Sequence, residues 1–204
     1  MAKLCLLEAA RDAGHALVQT QLVSGGWDYR LEFDQDERYR WAYRVDQKAS
    51  DQSLSEAQAR ALRKAKNVTT LDDDTTQSAL RFLMKLDVVL DRKDRQIHET
   101  VEYALAALLK AQYPNGAWPQ RYSEFPTPED FPVKRASYPD SWPREYPGKD
   151  YRSYYTFNDN TLADLIDTMF LAEQLYNEPR YGEAARKAGD FILLAQMPDP
   201  QPAW

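Results

Sequence analysis

Apolar residues recur along most of the chain at the three- and four-residue intervals of an α-helix. Between residues 161 and 176 this spacing predicts a helix with one apolar face. The predicted face consists of Leu162, Leu165, Ile166, Met169, Phe170 and Tyr176. No segment shows the alternation of apolar and polar residues that is typical of a strand. The pattern therefore predicts an all-α protein.

A motif of glutamine, glycine and tryptophan, Q-x-x-x-G-x-W, follows two of the predicted helices. Its copies are QLVSGGW (21–27) and QYPNGAW (112–118). A degenerate third copy begins at FILLAQ (191–196) and ends on Trp204. Self-similarity of this kind indicates a repeated structural unit.

A second repeat lies out of phase with the first. TLDDDTTQSAL (70–80) aligns with TFNDNTLADLI (156–166), which places Asp73 opposite Asp159, and each copy precedes a helical pattern. Each unit then contains two helices, a Gly/Trp turn and a long loop. Helix pairs repeated with their equivalent ends aligned predict one α/α toroid over residues 1–204, with the long irregular loops gathered on one face.

The two long loops carry further signals. In the first, residues 53–66 predict a short inserted helix that begins with a capping box of Ser53 and Glu56. The second holds seven prolines and many aromatic residues, and a long loop of this kind is usually functional. Its arginines suit either an anionic ligand or surface ion pairs. They are Arg121, Arg135, Arg144 and Arg152.

Three polar residues stand before the helix in each copy of the second repeat, Asp72–Asp74 and Asn158–Asn160. Asp, Asn and Thr are preferred N-caps because their oxygens accept the free N–H groups of the first turn. Two pairs resemble capping boxes, Asp74 with Gln77 and Thr161 with Asp164. One cap per helix leaves spare carboxylate and amide oxygens, which suit a hard cation such as Ca²⁺. Spacing alone favours capping and leaves a cation or sugar site as the alternative.

Composition and charge exclude several classes of protein. The chain has 32 Asp and Glu against 26 Lys and Arg, and this net charge of −6 argues against nucleic-acid binding. No apolar run approaches the roughly 20 residues of a membrane span. A single cysteine, Cys5, excludes an internal disulfide. Zinc, nucleotide and hydrolase motifs are absent, and His15 and His98 are expected to be packing or surface residues.

One family with similar motifs is that of the triterpene cyclases. The Q-x-x-x-G-x-W repeats resemble the QW motifs of these α/α toroids, and LDDDTT (71–76) partly resembles their D-x-D-D-T motif. Leu71 stands in place of the first aspartate, however, and the chain is far shorter than such enzymes. Its aromatic residues also crowd into loops, whereas a terpene cavity needs them on helical walls.

Four segments resemble the pectate lyases of polysaccharide lyase family 10. They are AQYPNGAWPQRY (111–122), the Pro-rich loop after it, YTFNDNTLADLIDTMFLA (155–172) and LLAQMPDPQPAW (193–204). The resemblance implies an α/α toroid that cleaves polygalacturonate by Ca²⁺-assisted β-elimination. In that reaction an arginine removes the C5 proton of a metal-bound uronate and the C4–O bond breaks. A secreted or periplasmic monomer is expected, although no signal peptide precedes the first helical pattern.

The resemblance also implies roles for single residues. Asp159 matches the metal-site aspartate, and its repeat partner Asp73 is either a capping relic or a second acid in the cleft. The implied substrate contacts are Asn158, Asn160, Arg121, Tyr122 and Trp118. The arginine base is expected downstream of Trp204, so the chain is expected to be an N-terminal portion with little or no lyase activity. The alternatives are a non-catalytic carbohydrate-binding toroid that stacks sugars on aromatic residues and, third, a terpene-cyclase-like toroid.

Overall fold

The structure is a computed structural model that describes residues 2–49, 64–137, 156–200 and 202–203. Six α-helices make up most of these described residues. In chain order they are α1 Ala2–Gln19, α2 Arg44–Ala49, α3 Thr75–Val89, α4 Arg95–Ala111, α5 Thr161–Tyr176 and α6 Pro179–Leu194. None of these helices combines the length and apolar character of a membrane span. Four predicted features lie outside the described residues: most of the helix at 53–66 with its capping box, Arg144, Arg152 and Trp204.

Apart from the short α2, two kinds of helix alternate along the chain: α1, α4 and α6 precede the copies of the Q-x-x-x-G-x-W motif, and α3 and α5 follow the polar triplets. Helices α3 and α5, which follow the polar triplets, pack against each other, and α1 packs against α3 and α4. Helix α6 packs most extensively on α5. The turns that end α1 and α4 reach the next helix of their own kind, because Gly25 lies against Ala107 on α4 and Gly116 against Lys187 on α6. This arrangement confirms the all-α prediction and has the alternation expected of an α/α toroid.

The glutamine of each Q-x-x-x-G-x-W motif ties one helix to the next. The Gln21 amide donates to the carbonyl oxygen of Gly25 within the turn and to that of Thr100 on α4, both at 2.9 Å. Gln112 makes the equivalent bonds, to the glycine of its own turn and to Ala184 on α6, at 2.8 and 2.9 Å. An amide nitrogen that donates both hydrogens in this way fixes both the turn and the neighbouring helix.

The tryptophan of each motif folds back on the helix that precedes it. The indole N–H of Trp27 donates to the carbonyl oxygen of Leu17 at 2.9 Å, and that of Trp118 to Leu108 at 2.8 Å. Both rings are core residues, with 1% and 2% of their surface exposed. The substrate contact predicted for Trp118 is therefore not available, because the ring is packed and its one donor is used.

The degenerate third motif retains one element of the turn. In the first two copies the residue after the glutamine donates its backbone N–H to the residue before the tryptophan, at 2.9 Å in each. The third copy has the equivalent bond, from Met197 to Ala203, also at 2.9 Å. The bond is kept although two more residues separate its ends, which supports a third repeat.

The apolar face predicted for α5 is correct except at one position. Leu165 and Met169 are fully buried and Leu162 is 7% exposed, while two further members are partly buried. Phe170 is 39% exposed. One residue further along a helix is a rotation of about 100°, so Phe170 falls outside the stripe that Met169 continues.

Two short strands are present that the sequence did not predict. Strand β1, Thr69–Thr70, pairs antiparallel with β2, Arg121–Tyr122, so that Thr70 faces Arg121. Two residues are too few to show an alternating pattern. This pair joins the entry to α3 with the segment after the second tryptophan, and it positions the site described next.

Candidate metal and substrate site

Three carboxylates from the two polar triplets meet at one place. One oxygen each from Asp72, Asp73 and Asp159 lie within 4.8 Å of one another. Asp72 is half-buried and the other two are exposed. The repeat partners Asp73 and Asp159 are brought together because α3 and α5 pack side by side with equivalent ends adjacent. Of the two roles predicted for Asp73, the structure favours a second acid beside Asp159.

The backbone, and not capping, explains why the triplets consist of Asp and Asn. The second and third residues of each are left-handed, with φ of 50° and 56° at Asp73 and Asp74 and of 47° and 56° at Asp159 and Asn160. Asp and Asn adopt this region more readily than other non-glycine residues. The backbone therefore turns sharply twice before each helix, at residues suited to do so.

The predicted capping is wrong in both copies. The N-cap residues Asp74 and Asn160 make no side-chain capping bond. Gln77 donates to the carbonyl oxygen of Leu71 at 2.7 Å, so it does not form a box with Asp74. The buried hydroxyl oxygen of Thr161 has no hydrogen-bond partner in the described part of the chain. A left-handed N-cap residue departs from the extended conformation of an ordinary N-cap, so the polar side chains are left for other contacts.

Arg121 reaches the acidic cluster through the strand pair. Leu71 donates its backbone N–H to the carbonyl oxygen of Gln120 at 2.7 Å, which extends the pairing by one step. The Gln120 amide then donates to Asp72 at 3.1 Å, and a terminal nitrogen of Arg121 lies 3.7 Å from the other oxygen of Asp72. The predicted position of Arg121 beside the cleft is thus consistent with the structure.

Tyr29 is a member of the site that sequence reasoning missed. Its hydroxyl donates to Asp73 at 2.9 Å, and the Arg121 guanidinium carbon lies 5.1 Å from the centre of its ring. Tyr29 stands two residues after Trp27, just as Gln120 stands two residues after Trp118. Each donates to an acid of the first triplet, so this shared offset from the tryptophan was the signal that could have identified both.

Partial burial, together with the acceptors Asp73 and Asp72, raises the pKa of Tyr29 from 10.0 to about 12. Between these values the unfolded phenol ionises while the folded one stays protonated, so folding stability falls as pH rises through this window. We expect the ultraviolet phenolate titration of Tyr29→Phe to lack, relative to the wild type, one step centred near pH 12. A missing step near pH 10 would contradict this placement of the hydroxyl.

The segment that carries Tyr29 is anchored by a buried acid. Asp28 is 5% exposed and accepts bonds from Lys66 at 2.6 Å and from the Trp41 indole at 3.1 Å. Burial opposes ionisation of Asp28, but these partners outweigh it and hold its pKa below the usual value. The anchor holds Tyr29 against the acidic cluster.

The other predicted substrate contacts fall in two groups. Asn158 donates from its amide to Asp159, so it orients that carboxylate, and Asn160 is exposed at the N-terminus of α5. Tyr122 is only 6% exposed, and burial raises the pKa of its hydroxyl. Tyr122 is therefore largely buried, but it also lines the groove beside Arg121, so its contact with substrate stays a prediction.

An open groove of about 660 Å³ begins at Arg121. It is formed largely by the described part of the second long loop, and its walls mix aromatic and charged side chains. Those that face it include Lys66, Tyr113, Glu124, Phe125 and Phe131. Phe125 and Phe131 are 43% and 38% exposed, so their rings are open to a ligand.

Two comparisons with known proteins each found a match. The family model described as pectic acid lyase matches residues 21–177. The solved structure of a family 10 polysaccharide lyase from Cellvibrio cellulosa is similar to the chain, with a TM-score of 0.54 and 20% identity. The match covers 94% of this chain and 49% of that one, so the chain spans about half the length of the lyase it resembles. No curated protein sequence is significantly similar.

The likeness to that structure confirms the toroid fold. A terpene-cyclase-like site gains no support, because two of the three acids are exposed and their neighbours Tyr29, Gln120 and Arg121 are polar. The family match extends over most of the chain, including both triplets and both tryptophan turns that are complete. This chain belongs to the pectic acid lyase family.

Proposed function

We propose that this chain binds polygalacturonate through Ca²⁺ and takes part in its cleavage by β-elimination. The observation that carries the proposal is the meeting of Asp72, Asp73 and Asp159 beside Arg121. Carboxylates can hold a hard cation, and the cation and the guanidinium can both attract the carboxylate of a uronate. Membership of the pectic acid lyase family supports this reading.

The three acids fit a calcium ion. Oxygen ligands lie about 2.3–2.6 Å from Ca²⁺, so two ligands on opposite sides are roughly 4.6–5.2 Å apart. Carboxylate oxygens within 4.8 Å of one another can therefore share one ion. Asp72, Asp73 and Asp159 would hold it, and a bound calcium ion would stabilise the negative charge that develops on the uronate when its C5 proton is lost.

The neighbouring side chains would hold these acids and the substrate. Tyr29 and Gln120 donate to the first triplet, and Asn158 donates to Asp159, so each acid keeps an orientation before a ligand arrives. The separation of 3.7 Å between Arg121 and Asp72 is too long for a strong hydrogen bond. We propose that Arg121 pairs with a uronate carboxylate, and that the exposed Asn160 contacts a sugar hydroxyl.

The base that removes the C5 proton is not assigned to any of the described residues. The resemblance to polysaccharide lyase family 10 implies an arginine base that lies outside the four matching segments. We therefore propose that the described residues supply the cation site and the substrate contacts. Secretion or a periplasmic location, and a monomeric state, stay predictions from the same resemblance.

Polygalacturonate binding in the presence and absence of free calcium tests the proposal. In native gels that contain the polymer, we expect the chain to be retarded with Ca²⁺ and to migrate freely after chelation. An ultraviolet absorbance assay for the unsaturated product of β-elimination measures catalysis separately from binding. Retardation that is indifferent to chelation would contradict the cation site and favour a carbohydrate-binding module that stacks sugars on its aromatic residues.

A further inference from the structure

One arginine outside the cation site connects its two halves. Arg81 lies on α3, and one terminal nitrogen donates to the Thr168 hydroxyl at 2.8 Å and to the carbonyl oxygen of Asp164 at 3.4 Å. Its other terminal nitrogen pairs with Asp74. Thr168 and Asp164 belong to α5, whereas Asp74 is the last residue of the first triplet.

The Arg81 guanidinium therefore links the first triplet to α5, and the separation of these two parts sets the distance between the candidate ligands. Asp74 follows Asp72 and Asp73 directly in the chain, and α5 begins directly after Asn160, next to Asp159. The Arg81 side chain is 24% exposed and Thr168 is fully buried, so the bond to Thr168 is largely shielded from water, whereas the Asp74 side chain is 34% exposed. Bonds from a charged donor in such surroundings are stronger and more directional than neutral ones.

We propose that Arg81 is a positioning residue that sets the separation between Asp159 and the first triplet, and so the affinity of the site for calcium. The inference rests on the proposed calcium site. Within the described part of the chain, Arg81 forms no hydrogen bond or ion pair with any of the three candidate ligands, and it acts through Asp74 on one side and Thr168 on the other.

If Arg81 acted mainly through its charge, its removal would change calcium affinity in the opposite direction, so an experiment can distinguish the two roles. A positive side chain near a cation site repels the ion, so its removal would strengthen binding if charge were its main influence. If position is its main influence, loss of the link lets the two triplets relax apart under the repulsion of their carboxylates, and binding weakens. The sign of the change in calcium affinity separates the two.

Thr168→Val is the first test, because it removes the shorter of the two Arg81 bonds to α5 without changing any charge. By calorimetric titration of the full chain with Ca²⁺, we expect affinity to fall about three- to ten-fold, in the range found for coupling through a packed contact. Thr168→Ser keeps the hydroxyl and should retain the wild-type affinity, although it also loses a buried methyl group. If Thr168 had a purely structural role, the calcium affinity of both variants would instead fall in step with their loss of stability.

Thr100→Val is the matched control. Thr100 is likewise fully buried on a helix, and its hydroxyl accepts a bond from Arg44 at 3.2 Å, away from the acidic cluster. We expect this variant to unfold at a lower temperature in chelator, as Thr168→Val does, and to bind calcium as the wild type does.

Arg81→Lys and Arg81→Gln complete the set and serve if Thr168→Val does not fold. Lysine keeps the charge but cannot bridge both partners with a planar fork, so we expect weaker calcium binding. Glutamine should also weaken it. Tighter calcium binding by Arg81→Gln, or unchanged calcium binding by Thr168→Val, overturns the proposed role of Arg81 but not the calcium site itself. A wild-type chain that binds no calcium overturns this inference together with the proposed function.

Discussion

Asp159→Asn is expected to abolish the calcium-dependent binding of polygalacturonate and to lower calcium affinity by about 100-fold. Affinity for Ca²⁺ depends strongly on the number of charged ligands, and this change removes one of three carboxylates. The side chain keeps its shape, and asparagine suits the left-handed backbone at this position, where φ is 47°. The loss is therefore expected to come from charge and not from a changed fold.

The stability of the metal-free chain gives this prediction a second readout. Three carboxylates in close proximity repel one another, so removal of one charge should leave the metal-free protein at least as stable as the wild type. In the presence of Ca²⁺, the wild type should gain thermal stability and the variant should not, because a ligand that binds only the folded state stabilises it.

Asp91→Asn is the control for the loss of one negative charge. Asp91 is exposed and left-handed, with a φ of 53°, and it follows the C-terminal end of α3, opposite the end that carries the first triplet. This variant should bind calcium and polygalacturonate as the wild type does. If Asp159→Asn kept the calcium response of the wild type, the cluster of Asp72, Asp73 and Asp159 would not be the cation site.

Gly116→Ala is expected to give the largest loss of stability, about 3 kcal/mol or more. Gly116 has a φ of +98°, a region that residues with a side chain rarely adopt. An added Cβ would also lie 2.1 Å from the backbone carbonyl oxygen of Lys187 on α6. Backbone in a helix cannot move aside cheaply, so the turn and the next repeat would have to separate. Urea unfolding followed by circular dichroism measures the effect.

Gly189→Ala provides the matched control for the same chemical change. Gly189 lies within α6, and an added Cβ would meet no atom within 4 Å. Since alanine favours a helix over glycine by roughly 0.5–1 kcal/mol, this variant should be as stable as the wild type or more so. If Gly116→Ala stayed within about 1 kcal/mol of the wild type, the close approach of the second turn to α6 would be wrong.

The first turn offers a rescue that the second does not. At Gly25, with a φ of +113°, an added Cβ would lie 2.1 Å from the Cβ of Ala107, which is a side-chain atom. Adding Ala107→Gly to Gly25→Ala removes this clash but leaves the unfavourable φ. We expect the double variant to recover only part of the lost stability.

The turns show how far local sequence can predict structure. The bonds from Gln21 to Gly25 and from Trp27 to Leu17 join residues four and ten positions apart, so their whole chemistry is visible in one short segment. The repeat of this segment and the helical spacing of apolar residues led directly to an all-α repeat protein. The motif could not reveal that both tryptophans are core residues, because a tryptophan on a sugar-binding surface obeys the same spacing.

The triplets show where sequence reasoning was wrong. Asp and Asn before a helix suggest capping, since the frequency of these residues at N-caps reflects the common extended backbone. Here the backbone is left-handed at two successive residues, and asparagine and aspartate are also favoured in that conformation. One composition therefore fits two geometries, and only the structure distinguishes them.

The sequence by itself determined the helices, the repeats and the family to which the chain belongs, because these depend on patterns within short segments. The tertiary structure decided which polar residues form a site. Tyr29 and Asp73 are 44 positions apart, and Gln120 and Asp72 are 48 apart. The first pair meets because Thr70 donates its backbone N–H to the carbonyl oxygen of Trp27, and the second meets through a two-residue strand pair. Neither connection leaves a periodic pattern in the chain. Contacts between distant segments depend on how whole elements pack, so the site became visible only in the folded protein.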